Sequence, residues 1–222
     1  MRRLASRIIL IVLLGVAILY GGALVALVWL RFLPPPTTMV QVQRRIEAVA
    51  SGGSPALDTR WVAADRISPH LRNAVVAAED TRFFQHGGFD RDCIREQRQV
   101  RARGGSPRGC STITQQLVKN LFLTTHRSWV RKGIEATLTP PAEWILGKQR
   151  ILTLYLNVIE WGPSVFGAEA AARHHYRRGA DALTREQAAS LAAVIPAPRT
   201  RDPRRMDRYR GIILRRMQQM GW

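Results

Sequence analysis

The run from Ile8 to Leu30 carries no charged residue over 23 positions, and no other stretch constrains the chain as strongly. As an α-helix it would extend about 35 Å at 1.5 Å per residue, enough to cross the roughly 30 Å hydrocarbon layer of a bilayer with some tilt. Arg2, Arg3 and Arg7 precede it and Arg31 follows it, a bias that favours a cytoplasmic N-terminus. A cleaved signal peptide is the rival reading, but its apolar segment is normally shorter and closes on a small-x-small site. Here the run ends in Trp29-Leu30-Arg31-Phe32-Leu33-Pro34-Pro35-Pro36. The sequence therefore predicts residues 1–7 as a cytoplasmic tail, 8–30 as a transmembrane helix and 31–60 as a juxtamembrane linker. Residues 61–222 follow as one domain outside the cytoplasm.

That length suits a single domain with a substantial core. Arg and Lys outnumber Asp and Glu by 34 to 16, and only Lys119, Lys132 and Lys148 are lysines. Genome composition accounts for part of the arginine excess. The functional part is a surface that meets phosphate, and beside a membrane anchor this means anionic lipid rather than nucleic acid. Cys93 and Cys110 are the only cysteines and have no zinc-like spacing. They can pair in an oxidising compartment, although sequence separation alone does not show that their Cα atoms approach.

Helical signals dominate the domain. Residues 41–50 suit a short helix, and residues 58–64 an extended segment or short strand. Ser68 is an N-cap with Pro69 in the first turn, and Leu71, Ala74, Val75 and Ala78 follow at helical spacing. That helix delivers Glu79 and Asp80 at its end. Residues 91–108 read as a basic connection whose second half is a mobile loop. Further helices are predicted from Ser111 or Thr112, over 128–139 up to Pro140-Pro141, on through Leu146, and over 150–158. Residues 168–176, 184–194 (with Thr184 and Gln187 as a capping box) and 204–220 complete a mainly α fold.

Two blocks carry chemistry. The first is Glu79-Asp80-Thr81-Arg82-Phe83-Phe84-Gln85-His86-Gly87-Gly88-Phe89-Asp90. Carboxylates among aromatics tend to be desolvated, which makes a usable base. Phe83, Phe84 and Phe89 are expected in the core. His86 is expected to order the Gly87-Gly88 turn, and Asp80 to hold neighbouring backbone or His86. The second block is Gly109-Cys110-Ser111-Thr112-Ile113-Thr114-Gln115-Gln116-Leu117-Val118-Lys119-Asn120-Leu121. On a helix, Thr112, Gln115 or Gln116, and Lys119 share a face. That face suits a polyanion, and a solvated polar face would look the same. Arg127, Arg131 and Glu135 are spaced four apart beside an apolar stripe of Val130, Ile134 and Leu138. A plain surface pair between Arg131 and Glu135 is the bland alternative. His174 and His175 are adjacent, point apart on a helix and make a poor metal pair.

These blocks resemble the active-site motifs of the peptidoglycan glycosyltransferases, a family with a lysozyme-like catalytic domain, and the likeness runs over residues 61–203. The resemblance implies a monofunctional, membrane-anchored member that polymerises lipid II into glycan strands, with inversion at C1 and release of undecaprenyl diphosphate. It implies a place in the bacterial inner membrane with the domain in the periplasm, and other cell-wall synthesis proteins as partners. Glu79 is then the catalytic base and Glu135 a second essential carboxylate. Ser111, Thr112, Gln115 and Gln116 contact substrate, while Lys119, Arg127 and Arg131 bind the diphosphate. Mg²⁺ or Mn²⁺ is implied at the diphosphate, with no dedicated protein metal site. The chain departs from the family in having Gly109-Cys110-Ser111 in place of Gly-Gly-Ser, and Gly147-Lys148 in place of Ser-Lys. A muramidase or lytic transglycosylase, and a non-catalytic basic membrane adaptor, are the alternative readings.

Overall fold

Helix α1 (Arg2–Phe32) runs unbroken through the apolar segment in a computed structural model that describes residues 2–222, apart from the side chains of residues 2–5 and 8. Met1 and the side chains of Arg2 and Arg3, which belong to the expected tail, lie outside the described residues. From Ile9 to Phe32 the helix is long and apolar enough to cross a membrane. Its C-terminal part docks on the domain: Leu27 and Leu30 are buried against α6 (Trp129–Val158).

Backbone chemistry explains this junction. Prolines at 140 and 141 are expected to end a helix, yet α6 passes through both. Pro141 has no N–H to offer the carbonyl four residues earlier, and the Tyr20 hydroxyl of α1 donates to that Thr137 carbonyl at 3.1 Å. The real break comes at Gly147, whose φ of 72° and ψ of 160° leave the helical region. Glycine is the residue that adopts this geometry without strain. Near the break, Arg31 donates to the Ile145 carbonyl at 2.8 Å. In return, Arg150 donates to the Leu30 and Leu33 carbonyls where α1 ends, both at 2.7 Å. Each helix thus supplies a guanidinium to the other's unpaired carbonyls.

Within residues 31–60, read above as linker, α2 (Met39–Ala50) is closed by a Thr38–Gln41 capping box. It is tied to the domain by Gln43, which bonds Thr125, and by Arg44, which pairs with Glu160 at 3.0 Å. Strand β1 (Asp58–Thr59) then pairs in parallel with β3 (Val165–Phe166), and β3 pairs antiparallel with β2 (Glu160–Gly162) across a bulge. Asn157, at the end of α6, grips both the N–H and the carbonyl of Val62.

The core forms where α3 (Pro69–Glu79), α8 (Arg185–Ala192) and α9 (Asp207–Gln219) pack on one another, and where α5 (Ile113–Phe122) lies along α6. Ser68 caps α3 and Thr184 caps α8, as their sequence signals require. Helix α7 (Ala168–Tyr176) covers the small sheet. Tyr155, Trp161, Phe83 and Phe166 are the largest fully buried side chains.

Three further expectations change. Residues 91–102 form α4 (Arg91–Ala102) instead of an irregular connection: Asp90 caps it by accepting from the Cys93 N–H, while Cys93, Ile94 and Val100 are too few to print a helical period. Phe84 is exposed and packs edge-on against buried Phe83. Val130 and Ile134 do not seat α6. They are exposed together with Trp129 and Trp144, and only Leu138 of that stripe is buried.

Cys93 and Cys110 are joined, with Cα atoms 5.8 Å apart, closing a loop of sequence separation 17. Constraining a loop of this size stabilises the fold by about 3 kcal/mol in the chain-entropy account. Replacing both by serine should lower the unfolding free energy in detergent by about that amount. A reductant should lower wild-type stability comparably and leave the double variant unmoved, which urea titration with and without reductant will check.

Candidate active site

Helix α3 ends with Glu79 as its last residue, and Asp80 serves as its C-cap. Asp80 is almost wholly enclosed. Its carboxylate lies 2.9 and 3.1 Å from His86 Nε2 and accepts the Ile113 N–H at 3.0 Å. A carboxylate at the first free N–H of α5 is favoured by the helix dipole. His86 Nδ1 in turn accepts the Gly88 N–H at 3.2 Å. Gly88 itself has φ +98°, and a Cβ there would meet Thr139 Cγ2 at 2.7 Å. The roles expected for Asp80 and His86 are therefore the ones their contacts describe.

This register turns one face of α5 toward Glu79. Gln116 Nε2 donates to Glu79 Oε2 at 2.7 Å, and Gln116 Oε1 accepts the Tyr155 hydroxyl at 2.7 Å. One turn further along, half-buried Lys119 lies in the combined field of Glu79, Glu135, Arg131 and Lys132. Glu135 is buried on α6, paired with Arg131 at 2.9 Å and with Lys132 through its other oxygen. Three cations against the two carboxylates Glu135 and Glu79 leave this corner with a net positive charge. Burial lifts the Glu79 carboxyl above the usual carboxylate range, against the Gln116 hydrogen bond and the Lys119 charge. Burial also lowers Lys119 below the ordinary ammonium range, with Glu135 and Glu79 opposing.

The other expected residues divide. Thr112 and Gln115 are buried and form the α5 capping box, and Thr112 also donates to the Gly88 carbonyl at 2.7 Å. Ser111 is exposed and accepts from Lys132 at 3.3 Å. It lies with Glu79 and the Cys93–Cys110 bridge on the wall of a cleft of about 410 Å³. Arg127 is exposed and precedes the α6 N-cap Ser128, so it does not share a helical face with Arg131 and Glu135. Lys148 pairs with Glu143 at 2.7 Å and lies over the Phe83 ring, on the far side of Thr114.

Sequence reasoning missed three participants. Lys132 could have been found from its i+3 spacing to Glu135. Arg216 of α9 donates to the Ala77 and Ala78 carbonyls beside Glu79, and Tyr155 reaches Glu79 through Gln116. Neither of these leaves a local sequence signal. Among the described residues no three His, Cys, Asp or Glu gather as a metal-ligand set, and both oxygens of Glu135 are taken by cations. The side chains present thus do not form a cradle for the Mg²⁺ or Mn²⁺ that the resemblance implies.

An enclosed carboxylate and a cluster of cations within its electrostatic reach thus sit in a helical domain that follows an apolar helix long enough to cross a membrane. The family model for transglycosylases matches residues 46–218, and the chain belongs to that family. It is 46% identical over 205 residues to a biosynthetic peptidoglycan transglycosylase of Pseudomonas savastanoi pv. phaseolicola, covering 90% of this chain and 86% of the relative. Proteins of the same description from Pseudomonas syringae pv. syringae and Pseudomonas fluorescens Pf-5 are also 46% identical, over 90% of this chain and 86% and 85% of their own lengths.

The raised carboxyl has a cost in stability. A carboxyl raised in the folded state binds its proton more tightly there than in the unfolded chain. Its contribution is therefore complete below the unfolded value of about 4.3 and is lost as pH rises through the folded value. Glu79→Gln should melt at a higher temperature than wild type at neutral pH, and the difference should close by about pH 4. Thermal melts across that range check it.

Proposed function

We propose that this chain is a peptidoglycan glycosyltransferase that polymerises lipid II, with Glu79 as the base. The observation that carries the reading is the placement of Glu79 at the cleft wall, one turn of α5 away from Lys119 and the Glu135-centred cations. The acceptor's 4-hydroxyl gives its proton to Glu79 as its oxygen bonds to C1 of the donor. The bond from C1 to the diphosphate breaks on the opposite face, which inverts that centre from α to β. A diphosphate leaves as an anion and needs cations rather than a proton donor, unlike the alcohol released by a glycosidase. Lys119, Arg131 and Lys132 supply that charge, Arg127 adds to it from the exposed approach, and Glu135 holds Arg131 and Lys132 in place. Mg²⁺ or Mn²⁺ would be carried by the diphosphate itself.

The protein is anchored in the membrane through α1. We place it in the bacterial inner membrane, with the N-terminus cytoplasmic and the domain periplasmic. Exposed Trp129, Val130, Ile134 and Trp144 lie on α6, the helix that packs on α1. This apolar face and the arginine-rich surface suit contact with anionic headgroups, where a lipid-linked donor resides. Other cell-wall synthesis proteins are further proposed partners.

The test is incubation of the detergent-solubilised chain with labelled lipid II. Wild type should yield muramidase-sensitive polymer, and Glu79→Gln should lower the rate by about 10² to 10⁴, the usual worth of a general base. Shortening of added glycan strands would favour a lytic enzyme instead. Equal polymerisation by both proteins would move the base elsewhere.

A further inference from the structure

Tyr155 is fully buried on α6, and its hydroxyl meets the Glu79 side chain through a single intermediary. The phenol donates to Gln116 Oε1 at 2.7 Å, and the other end of the same amide donates to Glu79 Oε2 at 2.7 Å. We propose that Tyr155 is a positioning residue that fixes the direction of the Gln116 amide and thereby holds Glu79 in the ionised, proton-accepting form. The proposal rests on the reading of Glu79 as base.

The argument concerns where protons can go. An amide has one accepting end and one donating end. With its oxygen committed to the phenol, only its NH₂ group faces Glu79, and an NH₂ group favours a carboxylate over a carboxylic acid. A protonated Glu79 would be better met by the amide oxygen, which requires the amide to turn over. The turn would point NH₂ at the phenol oxygen and strip the phenol proton of its acceptor. Leaving a buried donor unpaired costs about 1–3 kcal/mol. The phenol does not escape by ionising, since burial and the Glu79 and Asp80 charges push its pKa well above the ordinary value.

The relay therefore opposes the effect of burial, which favours protonated Glu79. The other charged groups in the field of Glu79 are Asp80 on its own segment, Lys119 on α5, Arg201 from the segment after α8 and Arg216 on α9. Each acts through space and is indifferent to which way the amide points. Of the two described side chains that hydrogen-bond the Gln116 amide, Glu79 and Tyr155, only Tyr155 keeps the same preference for its direction whether or not Glu79 is ionised.

The experiment is the pH dependence of kcat/KM on lipid II for the full detergent-solubilised chain, from about pH 5 to about pH 9. Tyr155→Phe keeps the ring and its packing. It should move the acid limb to higher pH by about half a unit to one unit, with the high-pH plateau kept and KM unchanged. Gln116→Met keeps the length and removes the amide, and should move the limb in the same direction. The double variant should move it no further than the larger single shift. An unmoved limb, a uniform drop of the whole profile, or additive shifts would overturn the relay.

A second readout stands apart from turnover. The carboxyl carbon of Glu79, labelled with ¹³C and assigned by its loss in Glu79→Gln, should titrate at higher pH in Tyr155→Phe than in wild type. If Glu79→Gln polymerises normally, the base reading has failed, and this titration alone decides the relay. Equal titration in the two proteins overturns it.

Discussion

Asp80 joins three pieces of chain at one buried carboxylate. Its carboxylate accepts the first free N–H of α5 and bonds the His86 ring, so the end of α3, the turn at 86–88 and the start of α5 share one enclosed anion. A helix N-terminus offers unpaired N–H groups and partial positive charge, and a carboxylate satisfies both at once. Because Glu79 is the preceding residue, fixing Asp80 also fixes the direction from which Glu79 meets α5. Gln116 and Lys119 are then presented to it, and the face that buries Thr114 is turned away toward Glu143.

The same logic of unpaired backbone groups couples the membrane segment to the catalytic domain. Where α6 gives up helical bonds, at Pro141 and near Gly147, α1 supplies Tyr20 and Arg31. Where α1 runs out, α6 supplies Arg150. These bonds tie α1 to α6, on which Trp129 and Trp144 remain exposed.

Burial acts in opposite senses on the two principal groups. It raises the Glu79 carboxyl and lowers the Lys119 ammonium, so each is held nearer to neutrality than it would be in water. A carboxylate held in this way gains proton affinity, and an ammonium held in this way gains more from a nearby anion than a solvated one does. The fold carries these destabilising groups in the candidate site, offset by a core that runs from Leu27 to Met217.

Much of this was legible from the chain itself. Local chemistry determined the caps at Ser68 and Thr184, the start of α5 to within a residue at Ser111 or Thr112, the apolar length of α1, and the carboxylate and cation blocks with their spacing. These follow from propensities and periodicities that act over a few residues. The status of Cys93 and Cys110 was not legible, because a bridge depends on where two segments lie. Nor was the passage of α6 through Pro140 and Pro141, because the missing backbone bond is answered by Tyr20 from more than a hundred residues away. Position on α5 could not separate Gln115, which closes a cap, from Gln116, which meets Glu79. The sequence alone thus determined which groups the protein has and which helices carry them. Only the tertiary structure decided which groups face one another, because hydrogen bonds such as Tyr155 to Gln116 to Glu79 and the burial that shifts Glu79 arise between segments that no local pattern relates.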